Sequence, residues 1–239
     1  MNEIVDAPFP ERMCEEWASV LKGLSPPMES RVAIPEIFNS NLLFPLQRKV
    51  EMEMMLTLGN TIEPKTIYEI GSDKGGGLFH WCCLPSVTNV IACEIRGTPY
   101  KNLFEVFFPH IDFLWIEDSS YNVQVVEEVS RWLGAGEIDV LFIDGDKYNF
   151  ALDFDSYLPY MRSDGIVFMH DIQDEAPRFA YDSVCARGYN HREMINTVEA
   201  MEAVDREIGG ISVPCPHEAW LRHWHGRSCG VGTVFLGEK

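Results

Sequence analysis

Residues 138–172 read IDVLFIDGDKYNFALDFDSYLPYMRSDGIVFMHDI, and this stretch carries the strongest prediction of the fold. Its first apolar run, residues 140–143, stops at Asp144, and its second stops at His170 and Asp171. Short continuous apolar runs are typical of strands that are buried on both faces of a parallel sheet. Apolar side chains follow at helical spacing between the two runs, so the stretch predicts a strand–helix–strand unit.

The polar residues that follow these two strands are expected to lie together. In open α/β sheets, ligands bind beyond the carboxyl ends of the strands. We therefore predict that Asp144, His170 and Asp171 face one crevice. Lys147 lies about one helical turn beyond Asp144, close enough to act in the same crevice.

Three further strands are predicted upstream, and each carries an acid at or near its end. Glu69 lies within the first strand, Glu94 follows the second, and Asp118 follows the third. Like charges at one edge of a sheet cost free energy unless a cation or a donor-rich ligand meets them. We therefore predict a single site for a hydroxyl-rich, amine-bearing cofactor and a metal ion. The three strands cover residues 66–70, 90–93 and 113–116.

The turn after the first strand is rich in glycine and leads into a predicted helix. Gly71 and Gly75 permit a tight turn and a close approach of the backbone to a ligand. Many α/β folds carry such a turn without a cofactor, so the turn alone is a weak signal. Glu94, about 20 residues farther on, occupies the place where an acid grips the ribose hydroxyls in nucleotide-binding folds.

Composition excludes several classes of partner. The 239 residues suit one α/β domain, and 46% hydrophobic residues can build a full core. The net charge of −18 repels phosphate backbones, so we expect no nucleic-acid partner. We also expect no signal peptide and no membrane span. The seven cysteines are scattered without a CxxC pair, so we expect reduced thiols and a cytoplasmic location. The oligomeric state is left open, and the sequence allows a homodimer.

The regions outside the central unit are less regular. We predict an N-terminal helical cap over residues 1–60, including a methionine-rich helix at 46–58, and a cofactor-binding domain over residues 61–239. Beyond residue 171, we predict an irregular substrate loop, a helix and an antiparallel hairpin. These three elements cover residues 173–188, residues 194–208, and residues 219–224 with 231–236.

A group of cysteines and histidines near the C-terminus lacks the spacing of a zinc site. Zinc ligands usually come in pairs of the CxxC or HxxxH kind. Neither kind of pair occurs here, so we do not predict a zinc site. The group consists of Cys215, His217, His223, His225 and Cys229.

Together these motifs resemble those of class I S-adenosylmethionine-dependent O-methyltransferases. The run DGDKYNF at residues 144–150 and the pattern E-x-G-x-x-x-G at residues 69–75 are most similar to the metal-dependent catechol and caffeoyl-CoA type. The cephalosporin-hydroxylase and macrolide-sugar methyltransferase group is also similar. The predicted fold is α/β and Rossmann-like, with a seven-stranded, mostly parallel sheet, an antiparallel late strand and helices on both faces.

The resemblance implies a role for each matching residue. Glu69 would lie near the ammonium group of S-adenosylmethionine, Glu94 would accept its ribose hydroxyls, and Asp118 would border its adenine. Lys147 would be the base, and Asp144 would share the catalytic role. The implied cofactor-binding residues are Glu69, Gly71, Gly75, Glu94, Asp118, Ser119 and Asp144. The implied ligands of a divalent cation, magnesium or manganese, are Asp144, His170 and Asp171.

The His170–Asp171 pair departs from the pattern of these families, which have two acids, or an acid and an amide, at this metal position. Imidazole suits manganese, iron or zinc better than magnesium. Three interpretations stay open. The metal differs, or His170 faces the site without binding a metal, or the site lacks a metal and His170 is itself a base.

The sequence thus predicts methyl transfer to a hydroxyl of a small phenolic, sugar or natural-product acceptor, aided by a divalent metal. A nicotinamide-dependent oxidoreductase is disfavoured because Gly71-x-x-x-Gly75 differs from the G-x-G-x-x-G motif. A non-catalytic binding module that keeps the fold is disfavoured because Lys147 and Glu94 are both present.

Overall fold

A computed structural model describes residue 47, residues 49–195 and residues 230–237. Most of the predicted N-terminal cap, the helix beyond residue 195, the strand at residues 219–224 and the cysteine–histidine group lie outside the described residues. The division of the chain near residue 60 into a cap and a domain therefore stays a prediction.

Strands and helices alternate along the described chain. The elements are α1 (Lys49–Asn60), β1 (Thr66–Ile70), α2 (Gly76–Cys82), β2 (Asn89–Cys93), α3 (Lys101–Phe107), β3 (Asp112–Ile116), α4 (Val123–Leu133), β4 (Ile138–Ile143), α5 (Phe150–Tyr157), a 3-10 turn (Leu158–Tyr160), β5 (Met161–Met169), α6 (Glu175–Cys185), β6 (Asn190–Ile195) and β7 (Gly230–Phe235).

The seven described strands form one sheet in the order β3-β2-β1-β4-β5-β7-β6. Neighbouring strands from β1 to β5 are parallel, whereas β7 is antiparallel to both β5 and β6. The predicted seven-stranded, mostly parallel sheet with an antiparallel late strand is confirmed.

Strand β4 is buried along its whole length because helices cover both faces of the sheet. Successive side chains of a strand point to opposite faces. Phe142 accordingly joins an apolar cluster with side chains of α1, α2 and α3, whereas Leu141 joins a second cluster with side chains of α4, α5 and α6. This packing on two faces explains why the strand reads as a continuous apolar run. Among the described helices, none combines the length and the apolarity that crossing a bilayer requires.

The prediction of an irregular loop at residues 173–188 was wrong. Most of this segment is the helix α6, which buries Pro177, Ala180, Tyr181 and Val184 against the sheet. The remaining surface of the helix is mixed, because charged residues such as Arg178 and Asp182 are interspersed with Phe179, which is 77% exposed. The segment therefore looked irregular in the sequence although its buried positions recur at intervals of three and four residues.

Two other local predictions were also wrong. The sequence SDG at residues 163–165 predicts a turn, but these residues lie within strand β5, where the pairing with β4 shifts from Ile138–Met161 to Val140–Ile166. A Cβ at Gly165 would lie 2.9 Å from the carbonyl oxygen of Arg162 and 3.0 Å from that of Asp139, so this irregularity needs a glycine. Met194 lies in the strand β6 and not at the start of a helix, and β6 is the antiparallel partner of β7.

Asp153 on α5 carries a buried carboxyl group on the side of the sheet that α4, α5 and α6 cover. Burial and the charge of Asp146 raise its pKa to about 7, although the hydrogen bond from Ser120 acts in the opposite direction. An unfolded chain releases this proton near pH 4. The folded protein therefore holds the proton between about pH 4 and pH 7, and the stabilisation that this proton provides is lost as the pH rises through that window.

Asp153→Asn is expected to remove this pH dependence. The free energy of unfolding of the wild-type protein should fall relative to that of the variant by up to about 4 kcal/mol between pH 4 and pH 7. Urea unfolding at intervals across this range measures the difference. Asp155→Asn, at an exposed position of the same helix, is the control and should follow the wild type. Parallel curves for the wild type and Asp153→Asn would contradict a raised pKa.

Candidate active site

The parallel register brings four strand ends to one edge of the sheet. Ile70 pairs with Cys93 on one side and with Ile143 on the other, and Ile143 pairs with Met169. These residues are the last of β1, β2, β4 and β5. The polar residues that directly follow the strands therefore lie side by side, as the sequence predicts.

His170 lies buried between two carboxylates. Its Nδ1 is 3.1 Å from Oδ1 of Asp144, and its Nε2 is 3.3 Å from Oε2 of Glu51. Burial lowers the pKa of His170, but Asp144 and Glu51 outweigh burial and raise the pKa to about 10. The imidazole therefore carries a proton at neutral pH and compensates the neighbouring acids in the metal-free protein.

Lys147 and Asp171 form an ion pair at the same edge. Nδ1 of His170 is also 3.5 Å from Oδ1 of Asp171. One potential ligand atom each from Asp144, His170 and Asp171 lies within 4.8 Å of the others. The predicted metal ligands and the predicted base are thus brought together, and a cation there would compete with Lys147 for Asp171.

Two residues of this site were missed by the sequence-based prediction. Glu51 on α1 is fully buried, and Gln47, just before α1, donates its Nε2 to Oδ2 of Asp144 at 2.6 Å. Gln47 precedes the helix and Glu51 lies in its first turn, so both side chains reach the site from one short segment. Met55, four residues beyond Glu51, is buried on the same face of the helix. The sequence signal that could have identified them is the four-residue spacing of Gln47, Glu51 and Met55.

Glu69 is a second buried acid, located in β1 beneath the glycine-rich turn. Burial raises its pKa well above the ordinary value, and the charges of Asp144 and Glu94 raise it further. Among the described residues, none forms a hydrogen bond with its Oε2. A Cβ at Gly77 would lie 2.7 Å from its Oε1, so the glycine lets α2 approach this carboxyl closely. A buried acceptor without a partner fits an incoming ammonium group.

Gly71 and Gly75 shape the turn between β1 and α2. Both adopt positive φ, +86° and +80° respectively, which glycine tolerates and other residues rarely do. A Cβ at Gly71 would lie only 2.5 Å from the carbonyl oxygen of Asp144. The glycine therefore allows the turn after β1 to pass directly against the chain that leaves β4.

Gly71→Ala is expected to lower the free energy of unfolding by about 2–5 kcal/mol, since the clash with the Asp144 backbone adds to the cost of a positive φ. Gly188→Ala is the matched control, because Gly188 has a φ of +90° and a Cβ added there would meet no atom within 4 Å. We expect the control to lose only about 1–2 kcal/mol. Urea unfolding measures both values, and equal losses would contradict the close approach.

The carboxylate of Glu94 is held by the backbone on both sides. Its Oε2 accepts the N–H of Asp73 at 2.9 Å, and its Oε1 accepts the N–H of Arg96 at 2.9 Å. A carboxylate oxygen can accept two hydrogen bonds, so each oxygen retains one free acceptor position. Glu94 can therefore receive two neighbouring hydroxyl groups.

Asp118 and Ser119 follow β3, at the same edge but farther from Asp144. Oδ1 of Asp118 accepts the N–H of Ser119 at 2.6 Å, and its Oδ2 accepts Nδ2 of Asn122 at 3.2 Å. The Asp118 side chain thus organises the turn that leads into α4. The structure brings all the predicted site residues to one edge of the sheet, while their roles towards a cofactor stay predictions.

Comparison with solved structures identifies the fold. No family model and no curated protein matches the chain. The O-methyltransferase TomG from Streptomyces achromogenes, solved with S-adenosylmethionine, superposes with a TM-score of 0.56, at 12% identity over 97% of this chain and 100% of TomG. The chain has the Rossmann-like fold of methyltransferases.

Two further methyltransferase structures are similar at comparable distance. An O-methyltransferase from Bacillus cereus, in complex with SAH, has a TM-score of 0.50 at 11% identity and covers 98% of this chain and 93% of its own. A putative O-methyltransferase from Klebsiella pneumoniae has a TM-score of 0.52 at 15% identity and covers 93% and 98% respectively. At such low identities, the likeness concerns the methyltransferase fold.

Proposed function

We propose that this protein is an S-adenosylmethionine-dependent O-methyltransferase that acts on a hydroxyl group of a small molecule. The observation that carries the proposal is the geometry of Glu94. Its carboxylate is buried at the end of β2, is fixed by two backbone N–H groups and retains an acceptor position on each oxygen. Such a carboxylate suits the two hydroxyls of a ribose.

The neighbouring residues fit the rest of the cofactor. The unpartnered Oε2 of Glu69 is an acceptor for the ammonium of the methionine moiety. Gly71 and Gly75 let the backbone approach the ligand closely, and Asp118 with Ser119 would border the adenine. TomG and the Bacillus cereus enzyme were solved with S-adenosylmethionine and SAH respectively, which supports the same cofactor here.

When bound, S-adenosylmethionine supplies a methyl group on a sulfonium, and the protein must supply an activated acceptor oxygen. Lys147 is the proposed base that takes the proton from the acceptor hydroxyl. Asp171 holds the lysine Nζ at the edge of the sheet next to Asp144. The remaining contribution is the alignment of the acceptor oxygen with the methyl group, which the fixed edge of the sheet provides.

We also propose that Asp144, His170 and Asp171 can hold a divalent cation. Two carboxylates and an imidazole form a mixed donor set that favours manganese over magnesium. The cation would replace the proton on Nδ1 of His170, and it would lower the pKa of a hydroxyl bound to it. Glu51 would keep the opposite nitrogen of the imidazole in place.

The acceptor is proposed to be a phenol, a sugar or another small natural product. TomG takes part in tomaymycin synthesis, which supports this class of acceptor. Tyr148, next to Lys147, is 87% exposed and offers an aromatic surface beside the proposed base. We further propose a cytoplasmic location, since the four cysteines in the described part of the chain are free thiols.

Isothermal titration calorimetry with S-adenosylhomocysteine and with NAD tests the proposed function. We expect micromolar binding of S-adenosylhomocysteine and no heat with NAD. Binding of NAD alone would support an oxidoreductase instead. Binding of neither ligand would support a non-catalytic module and would overturn the proposal.

A further inference from the structure

The turn that would border the adenine is held from beneath by three buried side chains. Sγ of Cys93 donates to the carbonyl oxygen of Asp118 at 3.2 Å, and the hydroxyl of Tyr157 donates to the carbonyl oxygen of Ser120. The hydroxyl of Ser120 in turn donates to Oδ1 of Asp153 at 2.6 Å. All three contacts run from the turn into the core beneath the sheet.

Two of these supports come from one helix. Asp153 and Tyr157 lie one turn apart on α5, and both are fully buried. The helix α5 begins at Phe150, three residues after Lys147. The turn near the cofactor and the loop that carries the proposed base are therefore attached to the same short helix.

A carboxyl group such as that of Asp153 is uncommon at a buried position whose side chain only stabilises the fold. Burial of a carboxyl group costs free energy unless its oxygens are satisfied by hydrogen bonds. Its Oδ1 accepts from Ser120, but its Oδ2 has no hydrogen-bond partner among the residues that the structure describes. An apolar side chain would be buried there at a lower cost in free energy. Stability alone therefore does not explain the hydrogen-bond acceptor at Oδ1.

We propose that Asp153 is a positioning residue for the cofactor, which fixes the adenine-facing turn through the hydroxyl of Ser120. This inference rests on the proposed function, because it assigns the turn at residues 118–120 to the adenine. Asp153 touches neither the cofactor nor the acceptor. It acts by restricting the turn to one conformation before the cofactor binds, which reduces the entropic cost of binding.

The test uses calorimetry with S-adenosylhomocysteine and with adenosine. It compares variants that remove the hydrogen-bond acceptor at residue 153 with variants that keep it. Asp153→Ala should weaken binding of both ligands about tenfold or more, since the hydrogen bond to Ser120 is lost. Asp153→Asn keeps an acceptor oxygen and should stay within about threefold of the wild type. Asp155→Asn, an exposed position on the same helix, is the matched control and should not change binding.

Ser120→Ala removes the same hydrogen bond from the turn and keeps the test decisive should Asp153→Ala not fold. We expect Ser120→Ala to weaken binding similarly, and the double variant to lose little more, because both changes delete one interaction. Wild-type affinity in Ser120→Ala, or an equal loss in Asp153→Asn and Asp153→Ala, would overturn the inference. Failure of the wild type itself to bind S-adenosylhomocysteine would instead overturn the proposed function.

Discussion

Glu94→Ala is expected to weaken binding of S-adenosylhomocysteine by at least about 100-fold. Each hydrogen bond from a ribose hydroxyl to a charged carboxylate contributes about 1.5–3 kcal/mol, and the variant loses both bonds. It also loses the acceptors that hold the backbone N–H groups of Asp73 and Arg96. The turn after β1 and the segment after β2 would then lack their common anchor.

Two further variants test whether the loss of affinity is specific to the carboxylate of Glu94. Glu94→Gln keeps one acceptor oxygen and should show an intermediate affinity. Glu128→Ala, at an exposed position on α4, removes an acid far from the strand ends and should bind like the wild type. Calorimetry measures all three proteins, and wild-type affinity in Glu94→Ala would contradict the assignment of Glu94 to the ribose.

Lys147→Ala should reduce turnover by about 10²–10⁴-fold and leave the affinity for S-adenosylhomocysteine within about threefold of the wild type. The reason is that Lys147 is ion-paired with Asp171 after β5, whereas Glu94 follows β2, and β1 and β4 lie between these two strands. Turnover is measured as methyl transfer from radiolabelled S-adenosylmethionine to phenolic and sugar acceptors. Lys65→Ala, just before β1 at the opposite edge of the sheet, is the control and should retain full turnover. Equal losses of turnover and cofactor affinity would argue against Lys147 as the base.

The sequence was sufficient to predict the edge of the sheet where the candidate site lies. Apolar runs marked β2, β4 and β5, β1 was marked by a short segment before the glycine-rich turn, and the chain geometry of parallel strands dictates that their carboxyl ends converge. Acids such as Glu94 and Asp144 could therefore be assigned to one edge from their position alone. The residues that touch across this edge could not be assigned, because contacts depend on the twist and register of the strands.

Glu51 and Gln47 show why part of the site escaped prediction. Both come from the segment around α1, which has no strand end to mark it. Gln47 lies 97 residues before its partner Asp144, and Glu51 lies 119 residues before its partner His170. A buried glutamate on a methionine-rich helix looks like a solvated residue until tertiary packing places it beside an imidazole. Contacts over such sequence separations leave no local pattern in one sequence.

The errors at α6 and β6 have a different cause. In β6 polar residues outnumber apolar ones, and in α6 charged residues interrupt the apolar positions, because each element lies near the margin of the sheet and keeps a face towards solvent. Arg178 on α6, for example, forms a bidentate ion pair with Glu193 on β6, at 2.9 and 3.0 Å. This contact links two segments whose sequences look irregular when each is read separately.

A crystal structure with S-adenosylhomocysteine and manganese bound is the most direct test of a cofactor site at the carboxyl ends of these strands. We expect both ribose hydroxyls about 2.5–3.0 Å from the carboxylate of Glu94. We also expect the amino group of the ligand at Oε2 of Glu69, and manganese between Asp144 and Asp171. A ligand bound elsewhere, with Glu94 still contacting only the backbone, would contradict the proposed site.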